Sequence, residues 1–340
     1  MTFRVALSAD FRKSDGSPAY PMFDLAPLMT EGIEMFYAAP RDGVMQAEDM
    51  EDADALILLA PKFNQESIPA SGRLKIVARF GVGYDTVDVD ACTRAGIAVT
   101  IAPDGVRRPV AVSVITFMLA LAGQLKIKDN LTRMGVEGWD LRSNHMGVGL
   151  TGRTLGQLGI GNIGAEVLRL AGPFGMRFLA HDPFVDPALA RELGVELVDI
   201  ETLFKQSDFL SVSVPLSEKT KGMVNARLLA LMKPTAFLIN TARGPIVDQK
   251  ALYDALKAKK IAGAGLDVFE VEPAPIEEPI LHLDNVIVTP HSICFTDECF
   301  AGLGEACVRN ALAVNQRRLP NAIINRQVTD HPVWRKLVAA

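Results

Sequence analysis

Three side chains with complementary chemistry each follow an apolar run in the second half of this 340-residue chain. Arg243 follows residues 237–240, Glu272 follows 266–269 and His291 follows 286–289. An imidazole can accept or donate a proton near neutral pH, and an adjacent carboxylate favours its charged form and fixes the ring. A guanidinium can bind a carboxylate through its planar fork and polarise the carbonyl beside it. Such a set could handle the hydroxyl proton when hydride passes between an alcohol and a nicotinamide.

The same three residues have structural interpretations that the pattern alone leaves open. Arg243 could form a surface ion pair, Glu272 could be a charge in a loop, and His291 could stand at the start of a helix after a proline. Their chemistry depends on whether the chain brings them to one edge of a sheet. The elements that must position them therefore decide between the two interpretations.

A glycine-rich turn lies upstream of these residues and predicts a dinucleotide site. An apolar run that opens at Thr154 leads into Gly159-x-Gly161-x-x-Gly164, and helical spacing of apolar residues continues over 165–171. Gly159 can adopt the dihedral angles of the turn, Gly161 lets a pyrophosphate approach the backbone, and Gly164 lets the helix pack against the strand. The alternative is an ordinary turn between a strand and a helix.

The start of the helix and a later acidic residue specify the dinucleotide further. Asn162 and Ile163 open the helix, where free amides and the helix dipole attract a pyrophosphate. Asp182 ends the next apolar run, about 20 residues after the first glycine, where an acidic residue meets the adenosine ribose. Because the carboxylate of Asp182 would repel a 2′-phosphate, the predicted cofactor is NAD.

The order of apolar runs predicts an α/β fold with two Rossmann-like parallel-sheet domains. Strand-like runs occur at 3–9, 55–60, 74–80, 95–101, 177–180, 209–214, 236–240, 262–269 and 286–289. Asn225 and Asp248 can cap the helices that follow them, and a long helix is predicted over 297–317. We expect residues 1–106 and 296–340 to form a substrate domain, with an NAD-binding domain at 107–295 inserted into it. Ligands of such folds bind at the carboxyl edge of the sheet.

Composition argues against several classes of partner. The chain has 35 basic and 40 acidic residues, a net charge of −5 and no long run of one sign, so we predict neither nucleic acid nor membrane as a partner. The N-terminus lacks the basic and apolar segments of a signal peptide. The longest apolar stretch, residues 110–122, is shorter than the about 20 residues that span a bilayer, and we predict a buried helix there.

The cysteines and two loops lead to further predictions. Four cysteines without paired spacing predict reduced thiols in a cytoplasmic protein and no metal site. Residues 103–109 are predicted to separate a strand from the buried helix, at the crossing between domains. Arg107 and Arg108 within them could meet an anionic substrate or form a solvated pair. The loop at 10–27 could be a rim over the substrate or an inert surface excursion.

A second glycine pair lies at the end of the predicted strand 74–80. Gly81 and Gly83 are followed by Thr86 where a third glycine would stand, so we reject this segment as a pyrophosphate loop. Its amides could hold a small anion such as a carboxylate, or the segment could be a plain turn.

Four of these motifs, taken in order, resemble the D-isomer-specific 2-hydroxyacid dehydrogenases, nearest to the phosphoglycerate dehydrogenase type. The resemblance extends from about residue 74 to residue 307 and depends on the segments 154–164, 239–244, 265–273 and 288–291. It implies an NAD-dependent enzyme that interconverts a D-2-hydroxy acid and its 2-keto acid. It also implies a homodimer built through the cofactor domain and closure of a cleft between the domains.

The resemblance assigns roles in catalysis and substrate binding. It implies that Arg243 binds the substrate and orients its carbonyl, that Glu272 pairs with His291, and that His291 is the acid/base. It further implies that Val82 and Gly83 donate amides to the substrate carboxylate.

A second group of roles concerns the cofactor. The resemblance implies that Asp182 binds the adenosine ribose, that Val214 and Pro215 form the wall beside the adenine, and that Asp267 reaches the nicotinamide amide. Thr241, in the motif before Arg243, is also assigned to the cofactor.

Two departures from the family pattern limit the prediction of the substrate. Ile101 stands where relatives often have asparagine, and Val112 stands where many have glutamate. The related formate dehydrogenases have glutamine in place of Glu272. The alternative function is an NAD(H)-sensing protein like the corepressors of the family, but no peptide groove or regulatory tail is evident in the sequence.

Overall fold

Two parallel sheets organise residues 2–339, the part of the chain that the computed structural model describes. The first five strands are β1 (Phe3–Ser8), β2 (Ile33–Ala38), β3 (Ala55–Leu58), β4 (Ile76–Arg79) and β5 (Ala98–Thr100). The next seven are β6 (Thr154–Leu158), β7 (Arg177–His181), β8 (Val195–Leu197), β9 (Phe209–Val212), β10 (Phe237–Asn240), β11 (Gly263–Leu266) and β12 (Val286–Val288). The sheets have the orders β2-β1-β3-β4-β5 and β12-β11-β10-β9-β6-β7-β8. The predicted fold class is confirmed.

Between β1 and β4 the connections contain only short 3-10 helices, and most of the later strands are followed by α-helices. They are α1 (Val89–Arg94), α2 (Pro103–Ala122), α3 (Leu125–Arg133), α4 (Val136–Leu141), α5 (Asn162–Ala171), α6 (Pro187–Glu192), α7 (Ile200–Gln206), α8 (Ala226–Leu229), α9 (Gln249–Lys257), α10 (Asp297–Asn315) and α11 (Pro332–Ala339). The predicted caps are present. Asn225 accepts hydrogen bonds from the amides of Arg227 and Leu228, and Asp248 accepts one from Ala251.

Contacts divide the chain into two compact units, and the second is inserted between two segments of the first. The first unit runs to Val106 and resumes at Phe295, and the second covers Arg107–Cys294. The sequence analysis placed its two boundaries after residues 106 and 295. The first unit contains the five-stranded sheet and the second contains the seven-stranded sheet.

The seven-stranded sheet is covered on both faces by two apolar clusters. One apolar cluster joins Leu210 and Leu238 to helices α7, α8 and α9. The other joins Leu155 and Phe209 to helices α2 and α5. Strand order reverses between β6 and β9, whose following helices lie on opposite faces, so the carboxyl ends of these two strands border the crevice where doubly wound folds bind ligands.

The structure corrects the prediction for residues 103–122. Pro103 begins α2, and the helix continues through Pro109, so residues 103–109 do not separate a strand from a helix. A proline is well accommodated at the first helical position because it needs no amide partner there. Helix α2 has 20 residues, and the mean hydropathy of its most apolar 18-residue stretch is 1.5, so it is long and apolar enough to cross a bilayer. Half of that stretch is buried. Core helices of soluble proteins share these properties, so the evidence for a membrane span is weak.

The loop at 10–27 is anchored to the first unit by aromatic side chains. Tyr20 stacks on Phe300 with ring centroids 4.1 Å apart, and Phe23 lies 5.0 Å from both Phe11 and Phe80. The loop therefore packs against α10 and the end of β4 over part of its length.

Candidate active site

A hydrogen bond joins two of the predicted catalytic residues, Glu272 and His291. His291 Nδ1 lies 2.8 Å from Glu272 Oε2, and the other carboxylate oxygen accepts a hydrogen bond from the amide of Phe269 at 2.9 Å. Both side chains are partly exposed. Because the carboxylate is fixed to the backbone on one side, the ring that it holds on the other side has a defined orientation. The contact engages Nδ1, one of the two ring nitrogens of His291.

The backbone of His291 is unusual for a residue with a side chain. Its φ of 52° lies in the left-handed region, which costs about 1–2 kcal/mol for a non-glycine residue. The amide of His291 donates to the carbonyl of Asp267 at 2.8 Å, which ties this turn to the end of β11. Strained backbone of this kind clusters at functional sites, where the surrounding structure must hold it in place.

The turn that carries Arg243 is shaped by the buried side chain of Asn240. The amide group of Asn240 donates to the carbonyl of Arg243 at 3.0 Å, and its oxygen accepts from the amide of Ala242 at 3.0 Å. The next residue, Gly244, passes so close to Phe269 that an added Cβ would lie 1.9 Å from that residue's carbonyl carbon and oxygen. The loop of Arg243 is thus packed against the loop that supports Glu272.

Electrostatics of the site favour an ionised Glu272. Burial alone would raise the pKa of this carboxyl. The hydrogen bonds from His291 and from the Phe269 amide, together with the charges of His291 and Arg243, outweigh burial and lower its pKa from the ordinary 4.5. The structure therefore brings all three predicted catalytic residues together at the carboxyl ends of β10, β11 and β12.

The glycine turn has the shape that a pyrophosphate requires. At Gly159, φ is 90° and an added Cβ would lie 2.8 Å from Val214 Cγ1. At Gly164, an added Cβ would lie 2.1 Å from the carbonyl oxygen of Gly159, whereas at Gly161 no atom lies within 4 Å. Two glycines are thus needed for packing, and the third leaves open space in front of the first turn of α5. Asn162, Ile163 and Gly164 form that turn, and the first amides of a helix precede its i→i−4 hydrogen bonds.

Asp182 lies against this turn. Its Oδ2 accepts from the amide of Ile160 at 2.8 Å, and its Oδ1 accepts from the amide of Phe184 at 2.9 Å. The carboxylate therefore holds the glycine turn as well as lying where the sequence predicts a ribose contact. On the opposite side of the switch point, Val214 touches Gly159 and Pro215 follows it after β9.

The other predicted residues lie in two places. Thr241 follows β10, half-buried, and Asp267 follows β11, buried, so both are at the same sheet edge as the catalytic residues. Val82 and Gly83 belong to the first unit and follow β4, half-buried. Beside them, the guanidinium of Arg79 donates to the carbonyl of Phe80 and contacts Gly81.

Sequence reasoning missed several residues that shape the site. Asn240 ends β10 and makes side-chain hydrogen bonds to the turn that follows it, and the hydroxyl of Thr289, just after β12, donates to Asp267 in the loop after β11. For Asn240, a polar residue at the buried end of an apolar strand was the signal available, because such a group must find a partner. Arg108, left open by the sequence, pairs with Glu166 of α5 at 2.7 Å.

Comparison with known proteins agrees with the fold. Residues 115–292 match the family described as D-isomer specific 2-hydroxyacid dehydrogenase, NAD binding domain. A glyoxylate reductase of Korarchaeum cryptofilum is 41% identical, with 85% of this chain and 88% of the relative covered. A D-3-phosphoglycerate dehydrogenase of Methanocaldococcus jannaschii is 40% identical over 81% of this chain, which spans only 53% of that relative. The structure of a D-lactate dehydrogenase from Aquifex aeolicus, complexed with NAD and lactic acid, has a TM-score of 0.79 at 29% identity, covering 92% and 95% of the two chains.

The fold and the relatives define an NAD-dependent oxidoreductase that interconverts a D-2-hydroxy acid and its 2-keto acid. The chain belongs to the D-isomer-specific 2-hydroxyacid dehydrogenase family. The predicted family, enzyme class and cofactor are thereby confirmed, and the sensing alternative is not favoured. The open space at Gly161 and the carboxylate of Asp182 beside it fit this cofactor.

Proposed function

We propose that His291 is the acid/base of the reaction, that Glu272 is its partner, and that Arg243 binds the substrate and orients its carbonyl. The observation that carries this proposal is the 2.8 Å contact between His291 Nδ1 and Glu272 Oε2. With Nδ1 engaged, Nε2 donates a proton to the carbonyl oxygen in reduction and accepts the hydroxyl proton in oxidation. Arg243 stabilises the negative charge that grows on the carbonyl oxygen.

We further propose which residues hold the cofactor. The amides at Gly161, Asn162, Ile163 and Gly164 bind the pyrophosphate, and Asp182 binds the adenosine ribose. Val214 and Pro215 lie beside the adenine, while Thr241 and Asp267 contact the nicotinamide end, and Gly159 shapes the turn. When bound, NAD supplies the hydride acceptor for oxidation and its reduced form supplies the donor for reduction.

We propose a small 2-keto acid of the glyoxylate type as the substrate. The support is the relative named glyoxylate reductase, which matches this chain over most of both lengths. In the first unit, the domain that we propose to bind substrate, the amides of Val82 and Gly83 would hold the carboxylate. The guanidinium of Arg79 beside this loop would favour an anion there.

We also propose that the protein is a cytoplasmic homodimer formed through the second unit. The support is a set of exposed apolar side chains on and around α3 and α4, which we call the arm face: Leu125, Met134, Val136, Trp139 and Met146. Exposed apolar residues in such a concentration mark interaction surfaces.

The test of the proposed function is turnover of a panel of 2-keto acids with NADH, followed by the loss of NADH absorbance. The wild-type protein should reduce glyoxylate, hydroxypyruvate or a close analogue. His291→Ala should lower kcat by about a hundredfold or more, because the proton donor is removed. The dissociation constant of NADH should change little.

His282 provides a matched control for this substitution. It lies in the same unit, is exposed, and its ring nitrogen Nε2 is 2.7 Å from the carbonyl oxygen of Ile276. His282→Ala should retain wild-type turnover. Binding of NADH by the wild-type protein without turnover of any acid in the panel would favour the sensing alternative, and an unchanged kcat in His291→Ala would remove this residue from the mechanism.

A further inference from the structure

One buried carboxylate holds both sides of the turn that carries His291. Asp267 is 3% exposed, and its Oδ1 accepts three hydrogen bonds. They come from Thr289 Oγ1 at 2.6 Å, from the amide of Ser292 at 2.8 Å and from the amide of Ile293 at 3.1 Å. The residue before the Pro290–His291 pair and the two residues after it are therefore bound to a single oxygen atom.

These contacts restrain the position of the imidazole. His291 has a φ of 52°, so its backbone needs support from its neighbours. Thr289 is itself fixed, because its amide donates to the carbonyl of Leu266 at 3.0 Å. The hydroxyl of Thr289 is the only side-chain donor among the three bonds to Asp267 Oδ1, and it is the one that a substitution can remove without altering the backbone.

The hydroxyl also affects the charge of the carboxylate. Burial raises the pKa of Asp267 above its ordinary 3.8, and the hydrogen bonds from Thr289, Ile293 and Ser292 oppose that rise. Loss of the hydroxyl would leave burial less opposed and would favour the protonated carboxyl. A protonated carboxyl accepts hydrogen bonds more weakly than a carboxylate does.

We propose that Thr289 is a positioning residue for His291, acting through the carboxylate of Asp267. This inference depends on the role of His291 in the proposed function. The hydroxyl of Thr289 fixes the entry to the turn, and the amides of Ser292 and Ile293 fix its exit. Removal of the hydroxyl lets the imidazole move relative to Glu272, and displacement of a catalytic group by about 1 Å can lower a rate about a hundredfold.

The test compares Thr289→Val, which removes the hydroxyl at nearly constant volume, with Thr289→Ser, which retains it. Thr289→Val should lower kcat at least about tenfold, equivalent to about 1.4 kcal/mol of activation free energy. It should also alter the pH dependence of kcat/KM. Thr289→Ser should retain kcat within about threefold of the wild type.

Thr202 offers a control with the same chemistry at a distant place. Its hydroxyl donates to Asp199 Oδ2 at 2.6 Å, at the exposed start of α7 in the same unit. Thr202→Val should therefore leave kcat and its pH dependence unchanged. The proposal is overturned if Thr289→Val retains wild-type kcat and pH dependence, or if Thr289→Ser loses as much activity as Thr289→Val.

Amide hydrogen exchange gives a second measurement that needs no turnover. The amides of His291, Ser292 and Ile293 should exchange at least about tenfold faster in Thr289→Val than in the wild type, because the turn opens locally. Equal exchange rates in Thr289→Val and the wild type would overturn the proposal, even if the panel of acids yields no activity. If exchange is faster in Thr289→Val but the wild type shows no turnover, the result would instead contradict the proposed function. If Thr289→Val does not fold, Thr289→Ala replaces it in both measurements, with the same outcomes.

Discussion

Glu272 divides its two oxygens between a side chain and the backbone. One holds Nδ1 of His291, and the other accepts from the amide of Phe269. A substitution can therefore remove the charge of the carboxylate without removing its hydrogen bond to the backbone. Glutamine retains an oxygen that can accept from the Phe269 amide but carries no charge. This separation distinguishes an electrostatic role of Glu272 from a purely geometric one.

Glu272→Gln should slow reduction more than oxidation. A carboxylate beside an imidazole favours its protonated form, which is the form that donates a proton in reduction. At pH 7 we expect kcat for reduction to fall about tenfold or more, with a smaller fall for oxidation, when both directions are followed by NADH absorbance. Glu270→Gln, at a nearby exposed acid that contacts Gln249, is the control and should behave as the wild type. Equal losses in both directions would contradict an electrostatic role.

Glu272→Gln should also change how the unfolding free energy of the protein depends on pH. Because the pKa of Glu272 is lowered in the folded protein, its charge stabilises the fold fully above the ordinary value of 4.5 and loses that effect as pH falls through the folded value. The difference in unfolding free energy between the wild type and Glu272→Gln should therefore be constant from neutral pH to about pH 5 and shrink below it.

At the scale of elements, the strands that support the site could be predicted because they are buried on both faces. The runs that became β10, β11 and β12 are short and continuously apolar, and their predicted starts lie within one residue of the observed ones. Strand β2 was missed: Glu34 interrupts its apolar residues, and most of the strand is half-exposed. Helix α2 was predicted to start too late because Pro103 and Pro109 resemble residues that end or precede a helix.

The turns after the strands could not be predicted to the same degree. The sequence placed Arg243, Glu272 and His291 at one edge, since parallel strands end together. It could not reveal that Asn240 and Asp267 hold the turns, because those contacts depend on dihedral angles such as the φ of His291. Local sequence does not encode a left-handed histidine, which only the surrounding hydrogen bonds stabilise.

The glycine turn yields a prediction about an element rather than a single side chain. Gly161→Ala should fold normally, since its φ of −73° suits alanine and no atom lies within 4 Å of the added Cβ. The same Cβ would occupy the space proposed for the pyrophosphate, so the dissociation constant of NADH should rise about tenfold or more, measured by NADH fluorescence.

Two further glycines of this element give the controls. Gly172→Ala, at the far end of α5 and also in open space, should leave both stability and NADH binding unchanged. Gly164→Ala should lower the melting temperature, because its Cβ would lie 2.1 Å from the carbonyl oxygen of Gly159. Normal NADH binding by Gly161→Ala would argue that the pyrophosphate lies elsewhere.

At the scale of the whole molecule, the arm face leads to a prediction about assembly. Val136 is 79% exposed and Trp139 is 66% exposed, which is unusual for large apolar side chains. The double variant Val136→Glu, Trp139→Glu should convert the proposed dimer to a monomer, because charge at the centre of an apolar interface is desolvated without a partner. Light scattering coupled to size-exclusion chromatography measures the mass directly.

A control for this variant lies outside the arm face. Ile276 is 76% exposed in the same unit, and Ile276→Glu should leave the oligomeric state unchanged. A dimer that persists in the double variant would place the interface elsewhere, and a monomeric wild type would refute the proposed assembly.

At His291, the left-handed backbone sets the proposed catalytic role against thermal stability. Glycine would adopt the same φ without the steric cost of about 1–2 kcal/mol that an L side chain incurs there. Glycine would also lose the hydrogen bond to Glu272, so selection for heat tolerance would set the relaxed backbone against that lost contact, whereas selection for turnover would retain the proposed acid/base.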